Sequence, residues 1–141
     1  MQISPYLSFT GQCEAAFTFY AQCLGGELGP IFRYGGSSLA DQAPADWQDK
    51  VMHGSVRVGE LLLMGADVAP DRYAEPKGFS LSIQLNDTGE AERIFRALGD
   101  HGTVVLPLEK TFWAARFGMV VDRFGIPWLI NCEGSDQPSH A

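Results

Sequence analysis

The sequence predicts one small α+β domain built from two βαβββ modules, whose strands form a cupped eight-stranded mixed sheet with flanking helices. Short segments in which hydrophobic residues alternate with period two predict strands, and two longer segments with helical periodicity predict helices. These segments follow the same order in both halves of the chain. One module alone would leave a face of its sheet uncovered, so the modules are expected to pair around a cup that holds a ligand.

The first module is predicted to span residues 1–67. Residues 2–9 alternate as a strand, and apolar residues at helical spacing place a helix over residues 11–24. Thr10 or Gly11 is its expected N-cap, and the two glycines after residue 24 end it. Strands are then expected at about 27–34, 51–58 and 60–66. A long polar loop over 35–49 separates the first two, and the sequence does not define its role.

The second module is predicted to span residues 78–133, after a Pro- and charge-rich connector over 67–77. Its first strand precedes a helix that opens at Asp87, and Glu90 stands where a capping box requires it. The remaining strands are expected at about 103–108, 114–121 and 126–132. Residues 134–141 form a polar tail that is expected to fray.

Two offsets relate the modules along the chain. An offset of 76 residues carries Glu14-Ala15 onto Glu90-Ala91 in the predicted helices. An offset of 66 residues carries Gly59 onto Gly125 in the last hairpins, and would carry His53 onto Met119. The two offsets together indicate an internal repeat.

The composition excludes several classes of protein. The chain has 141 residues, of which 45% are hydrophobic and 19% charged, as in a folded domain. A net charge of −7 argues against nucleic acid and anionic membrane surfaces as partners, because both bind basic faces. No apolar run approaches the roughly 20 residues of a membrane span, and no signal-peptide pattern opens the chain, so a cytoplasmic protein is expected. Cys13, Cys23 and Cys132 are expected to be reduced and buried.

Several motifs together resemble a known family. They are the opening Pro5-Tyr6-Leu7-x-Phe9-x-Gly11-x-Cys13-Glu14-Ala15, Met52-His53 on a predicted strand, and the stretch Thr111-Phe112-Trp113-x-x-Arg116-Phe117-Gly118-Met119. They resemble the PhnB-like branch of the glyoxalase/bleomycin-resistance/dioxygenase (vicinal oxygen chelate) superfamily, over residues 3–133. The resemblance implies a paired βαβββ fold, usually a homodimer, with a pocket in each cupped sheet.

The superfamily that the chain resembles contains metal-dependent isomerases, dioxygenases and transferases, and also proteins that sequester drugs without chemistry. The PhnB-like branch is often labelled a demethylubiquinone methyltransferase. In this sequence, however, no Gly-rich loop follows a strand to offer a site for a methyl-donor nucleotide.

The resemblance also implies where a metal would bind. Metal-dependent relatives place His, Gln or Glu on the first and last strand of each module, and the corresponding positions here are Ser4, Leu63, Ser80 and Leu129. Leucine cannot coordinate a metal, and a neutral serine hydroxyl is a poor ligand for a transition metal. The sequence therefore predicts no metal site of the usual kind and no cofactor. The alternative is a metal site at other residues, with His53 and either Glu109 or Glu133 as ligands.

Five residues form the candidate ligand pocket: Tyr6, His53, Trp113, Phe117 and Met119. His53 is the best catalytic candidate, because an imidazole can titrate near neutral pH, with a structural histidine as the alternative. Tyr6 is placed toward the cup by strand parity. The aromatic residues offer a wall for a flat ligand, with core packing as the alternative.

Two charged residues, Arg116 and Glu109, stand close to these aromatic residues in the sequence. Arg116 falls on the opposite face of its strand, where an ion pair at a dimer interface is expected. Glu109 is expected to be solvated, with contact to a polar group of a substrate as its alternative role.

These observations favour a homodimer that binds an unidentified small molecule without the usual metal. The alternative is a divergent lyase, isomerase or dioxygenase-type enzyme that uses His53 or a metal site placed elsewhere. A structural dimer with a vestigial pocket is a third reading. No nucleophile and base stand at a recognisable spacing.

Overall fold

The computed structural model describes residues 1–134 of the chain. The chain divides into two compact units, the first spanning Met1–Ala74 and the second beginning at Glu75. Each unit carries one sheet and one α-helix, so the α+β class and the internal repeat are confirmed. The strands are hydrogen-bonded into two sheets, and the single eight-stranded sheet of the prediction is not confirmed.

The first unit contains five strands and one α-helix: β1 (Tyr6–Phe9), α1 (Cys13–Leu24), β2 (Glu27–Leu28), β3 (Phe32–Arg33), β4 (Val51–Val58) and β5 (Leu61–Asp67). Its sheet has the order β1-β5-β4-β2, and β3 also pairs with β4. β1 runs parallel to β5, and the other pairs are antiparallel. The predicted strand over 27–34 is split into β2 and β3, because Gly29 and Pro30 interrupt it and proline has no N–H to donate.

One face of the first sheet packs against α1. Its buried side chains include Leu7, Phe9, Val56 and Leu63, and α1 contributes Cys13, Ala16, Phe17 and Tyr20. The opposite face of the sheet, called here the first open face, carries Tyr6, Ser8, His53, Ser55 and Met64. Alternation along the strands therefore turns these apolar residues toward the helix and leaves mostly polar residues, together with Met64, on the open face.

The helix α1 begins later than predicted, at Cys13. Its N-cap is Gln12, whose side chain makes no capping hydrogen bond, so Thr10 and Gly11 were wrong as caps. The carboxylate of Asp67 replaces the missing cap and accepts hydrogen bonds from the N–H groups of Gly11 and Cys13, each at 2.9 Å. A residue at the end of β5 thus completes the start of a helix that lies far from it in sequence.

The second unit contains four strands and one α-helix: β6 (Leu81–Leu85), α2 (Thr88–Gly99), β7 (Thr103–Glu109), β8 (Arg116–Val121) and β9 (Pro127–Cys132). Its sheet has the order β6-β9-β8-β7, with β6 parallel to β9. Asp87 is the N-cap of α2, as predicted, and accepts from the N–H groups of Gly89 and Glu90 at 2.9 and 3.3 Å. The capping box is not formed, because the Glu90 carboxylate pairs with Arg93 instead.

Three further expectations concern the 35–49 loop, the cysteines and the polar tail. The loop over 35–49 contains two short 3₁₀ helices, Ala40–Gln42 and Ala45–Trp47. The three cysteines are buried and free, as predicted. The predicted polar tail lies outside the described residues except for Gly134. Among the helices of residues 1–134, none is long and apolar enough to cross a membrane.

Candidate functional site

A hydrogen bond joins two of the predicted pocket residues on the first open face. The Tyr6 hydroxyl lies 3.1 Å from Nδ1 of His53. Their rings are stacked, with centroids 5.7 Å apart and planes inclined by 30°. The two residues are 47 positions apart in sequence, so the fold alone brings them together.

Strand register explains how these two side chains meet. Tyr6 on β1 lies beside Met64 on β5, and Met64 lies opposite Ser55 on β4. His53 is two residues from Ser55 and therefore points to the same face. Phe32 on β3 is opposite His53, and their ring centroids are 6.3 Å apart. The imidazole thus lies between the rings of Tyr6 and Phe32.

The environment of Tyr6 keeps its hydroxyl protonated. Burial raises the pKa of the Tyr6 hydroxyl, and its interactions with Cys13 and Tyr34 raise this pKa further. The residue as a whole is 52% exposed. Tyr6 therefore remains a neutral hydrogen-bond donor throughout the physiological pH range while part of its ring stays accessible to a ligand.

The aromatic residues predicted for the pocket lie in the second unit. The rings of Trp113 and Phe117 meet edge to face, with centroids 5.2 Å apart, and Phe112 contacts Trp113 in the same manner at 4.9 Å. Phe117 and Met119 alternate along β8 with the buried Gly118 and therefore share the face opposite to α2. The structure thus groups Tyr6 with His53 in one unit, and Trp113 with Phe117 in the other.

The register of the two sheets corrects the predicted repeat. Gly65 of β5 pairs with Leu7, and Ile130 of β9 pairs with Ile83, so the last strands are related by an offset of 65 and not 66. Gly54 pairs with Gly65, whereas Gly118 pairs with Ile130. The counterpart of His53 is therefore Phe117. Met119 was wrong as the counterpart of His53, because Gly118 stands seven residues before Gly125, whereas Gly54 stands five residues before Gly59.

The same one-residue error affects a predicted metal-ligand position. Leu63 is fully buried on the face that packs against α1, and Met64 occupies the open-face position beside Tyr6. In the second unit, Leu129 lies opposite Met119 on the open side of the sheet. Within residues 1–134, no group of three or more His, Cys, Asp or Glu side chains is placed to hold a metal ion.

The charged residues near the aromatic cluster lie in different surroundings. Arg116 forms an ion pair with Glu92 of α2 at 3.2 Å within its own chain, where a partner across a dimer interface was expected. Glu109 ends β7 and lies opposite Phe117. The Asn131 side chain, also opposite Phe117, donates from Nδ2 to Oε1 of Gln84 at 2.9 Å.

Two cavities are lined by residues other than Tyr6 and His53. One of ≈ 360 Å³ lies in the first unit between the 35–49 loop and residues 68–72, with Tyr34, Trp47 and Arg72 in its walls. The other, of ≈ 590 Å³, is a groove between α2 and β7 in the second unit. The first open face is therefore an accessible surface of its unit, with Tyr6 52% and Phe32 54% exposed.

Two residues of this region escaped the sequence analysis. Phe32 was read as part of one long strand, although an exposed aromatic next to Gly29 and Pro30 was a usable signal. Asp67 was assigned to the polar connector, yet it is 1% exposed and binds three backbone N–H groups. No short-range pattern identifies such a carboxylate, because its partners come from two distant segments.

A family model described as 3-demethylubiquinone-9 3-methyltransferase matches residues 1–131. The chain belongs to this family. Membership concerns the fold and descent of the chain, and its activity is a separate question. A solved relative from this family carries both names, as a putative 3-demethylubiquinone-9 3-methyltransferase, PhnB protein, from Bacillus cereus. It is 22% identical, with a TM-score of 0.81 over 94% of this chain and 99% of its own.

Two further solved structures are similar to the chain described here. Protein PA1353 from Pseudomonas aeruginosa is 47% identical, with a TM-score of 0.86 over 96% of this chain and 99% of its own. A glyoxalase/bleomycin resistance protein/dioxygenase family enzyme from Burkholderia phytofirmans is 13% identical, with a TM-score of 0.61 over 91% and 96% of the two chains. The second likeness shows the fold alone. The predicted PhnB-like, glyoxalase-type fold is thereby confirmed.

Proposed function

We propose that this protein binds a small molecule on the first open face, and that it does so without the metal site of its metal-dependent relatives. The Tyr6–His53 hydrogen bond is the observation that carries the proposal. A polar pair that projects from a sheet away from the core contributes little to folding. The same pair, flanked by exposed aromatic rings, has the mixed chemistry of a ligand site.

The lining of the face supports a ligand with a flat apolar part. Phe32 and Tyr6 flank His53, and Met64 lies beside Tyr6. Aromatic side chains gain free energy by stacking on a flat ligand as well as by burial. We further propose that Trp113, Phe117 and Met119 of the second unit serve the same purpose, and that the protein acts as a homodimer.

The residues at the superfamily's ligand positions support the proposed lack of a metal. Met64 occupies the open-face position on β5 and offers only a soft thioether, and Leu129 offers no donor atom. The first measurement is therefore the metal content of untagged protein by elemental mass spectrometry, before and after incubation with Ni²⁺, Mn²⁺, Fe²⁺ and Zn²⁺. About one tightly held metal per chain would refute the metal-free proposal, whereas no retained metal would support it.

Ligand binding itself is tested by thermal-shift screening of a small-molecule library against the wild-type protein and two variants. A ligand that binds only the folded state raises the melting temperature, and the gain in stability grows with the logarithm of one plus the ratio of its concentration to Kd. His53→Ala should abolish the shift. Arg93→Ala, an exposed position on α2, is the matched control and should preserve it. Equal shifts in wild type and His53→Ala would place the ligand elsewhere and contradict the proposal.

An enzymatic role is the second candidate, and the same hydrogen bond favours it. A tyrosine hydroxyl bonded to an imidazole can pass a proton to or from a bound substrate. A lyase, isomerase or dioxygenase-type reaction would then show a pH-dependent rate that His53→Ala abolishes. Turnover that is flat between pH 5 and 9 would contradict an acid–base role for His53.

A further inference from the structure

The direction of the Tyr6–His53 hydrogen bond depends on the tautomer of the imidazole. In a neutral imidazole one ring nitrogen carries hydrogen and the other accepts. The sp² nitrogen is a strong acceptor, and a phenolic hydroxyl donates more readily than it accepts because its oxygen lone pair is delocalised into the ring. These preferences favour the arrangement in which Tyr6 donates to Nδ1 and the hydrogen of the imidazole is on Nε2.

The flanking rings fix where that Nε2–H can point. The planes of Tyr6 and Phe32 are inclined to the imidazole by 30° and 31°, with centroid distances of 5.7 and 6.3 Å. Rotation of the imidazole would lose the Tyr6 hydrogen bond and the contact of both rings. The Nε2–H therefore points in a fixed direction beside the rings of Tyr6 and Phe32, where it can donate a hydrogen bond to a ligand.

The neighbouring side chains suit an electron-rich partner. Two rows of neighbouring residues cross the strands of the first sheet, one through His53 and one through Ser55. The other open-face positions of these rows are occupied by Ser8, Ala66, Tyr6, Met64 and Phe32. They supply hydroxyl donors and apolar surface. The next carboxylate along this face is Glu27, which lies opposite Arg57, two residues beyond Ser55. No acidic group of these rows repels an anion, and Arg57 offsets the charge of Glu27.

We propose that His53 binds an acceptor oxygen of a flat conjugated ligand, a carboxylate, phenolate or enolate oxygen, through its Nε2–H. Tyr6 is the positioning residue, because it holds the tautomer that presents this donor. The inference rests on the proposed function, whose site it shares, and adds the polarity of the ligand to it. A cationic group at the same place would face a donor hydrogen and is disfavoured.

The tautomer is tested first, by ¹⁵N NMR of the histidine rings, with the His53 signals assigned through their loss in His53→Gln. We expect the wild-type spectrum to show Nδ1 as an acceptor and hydrogen on Nε2. Tyr6→Phe should shift His53 toward a mixture of tautomers while His101 is unchanged. A wild-type His53 that carries its hydrogen on Nδ1 would overturn the inference.

The ligand class is tested with three probes that share one ring: 2-naphthoate, 2-naphthalenemethanol and 2-naphthylmethylamine. Their affinities for the wild type and for every variant are measured by isothermal titration calorimetry, and the His53 ring signals of the wild type report contact with His53. Naphthoate should bind most tightly, and His53→Leu should weaken it about 10- to 100-fold, as expected for loss of a hydrogen bond to a charged group. Tyr6→Phe should weaken it by a smaller factor of roughly 3 to 10.

Two variants separate donor loss from a change in shape. His53→Gln places an amide N–H near the position of Nε2 and should restore part of the naphthoate affinity that His53→Leu loses. Phe32→Leu should weaken all three probes alike, because it removes stacking and leaves the donor. Melting curves of each variant verify that it is folded.

The outcomes distinguish this inference from the function on which it rests. Equal or tighter binding of the amine or the alcohol at His53 would overturn the acceptor-oxygen class and leave ligand binding on this face intact. Failure of all three probes to perturb His53 would count against both the ligand class and the proposed site. Preference for naphthoate that survives in His53→Leu would remove His53 as its cause.

Discussion

The backbone N–H of Cys13 donates to Oδ1 of Asp67 at 2.9 Å, so the last residue of β5 caps the first turn of α1. Oδ1 also accepts from Gly11, and Oδ2 accepts from Val51 at 3.0 Å. The Asp67 carboxylate is 1% exposed. Its negative charge is stabilised by three N–H donors and by the positive end of the α1 dipole.

The first prediction follows from these donors. Asp67→Asn keeps an oxygen for Gly11 and Cys13 but turns an NH₂ group toward the N–H of Val51. A buried N–H left without an acceptor costs about 1–3 kcal/mol, so we expect the free energy of unfolding to fall by about that amount, measured by urea titration.

The second unit supplies the matched control for this variant. Asp122 is also buried and accepts from Phe124, Ile126 and the indole of Trp128. Asp122→Asn should lower the free energy of unfolding by a similar amount. The NMR signals of residues in α1 should stay as in the wild type. If Asp67→Asn were as stable as the wild type, the three-donor account of this carboxylate would be wrong.

The second prediction concerns alkaline pH. Burial raises the pKa of the Cys13 thiol from 9.0 to about 12, and the nearby Asp67 and Glu14 carboxylates add to the effect. Because this folded-state pKa is raised, the stability that the neutral thiol contributes is full below the unfolded pKa. It is lost as pH rises toward the folded value, by at most ~1.4 kcal/mol per pH unit.

Denaturant titrations at pH 8 and pH 10, in the presence of a reductant, measure this loss. Cys13→Ala should show a smaller drop between the two pH values than the wild type, because it has no thiol to ionise on unfolding. Val56→Ala truncates another buried side chain on the face that packs against α1 but removes no ionisable group, so it serves as the control. Identical drops in wild type and Cys13→Ala would show that ionisation of Cys13 does not contribute.

Local patterns predicted much of this fold because the relevant forces act over short distances along the chain. Helical spacing in α1 and strict alternation in β4 place Phe17 in the core and His53 on the open face. The Asp87 cap depends on N–H groups two and three residues away, so the sequence alone was enough to predict it. The glyoxalase-type architecture follows from the repetition of these signals.

The contacts that define the candidate site depend on register between distant strands. Parity placed Tyr6 and His53 toward the same side, yet their hydrogen bond requires that Tyr6 lie beside Met64 in a parallel pair. One residue of difference between β5 and β9 was enough to misplace Leu63, and two residues of difference between β4 and β8 moved the expected counterpart of His53 from Phe117 to Met119. Strand parity reverses with every residue, so counting from a hairpin glycine is a fragile guide to which face a side chain occupies.

A third prediction compares the starts of the two helices. The side chain of Asp87 caps α2, whereas that of Gln12 makes no capping bond to α1. Asp87→Ala should therefore lower the free energy of unfolding by about 1 kcal/mol. Gln12→Ala should change it little. Urea titrations of both variants check the contrast, and equal effects would mean that the Asp87 hydrogen bonds add nothing beyond helix propensity.

The fourth prediction links packing to the candidate site through two glycines that pair across β4 and β5, Gly54 and Gly65. A Cβ on Gly65 would lie 2.6 Å from the carbonyl oxygen of Leu7 and 2.8 Å from Cζ of Phe17. A Cβ on Gly54 would meet its nearest neighbour, Val51 Cγ1, at 3.4 Å. The first substitution overlaps backbone that cannot yield locally, and the second fits.

Gly65→Ala should cost about 1–3 kcal/mol of stability, as overpacked cores do, and Gly54→Ala much less. The clash with Leu7 should also push β1 away from β5, which carries Tyr6 away from Nδ1 of His53. We therefore expect the ¹⁵N spectrum of folded Gly65→Ala to show His53 as a mixture of tautomers. The spectrum of Gly54→Ala should show hydrogen on Nε2, as in the wild type. A destabilised Gly65→Ala that kept the wild-type His53 signals would show that the Tyr6–His53 pair tolerates displacement of β1.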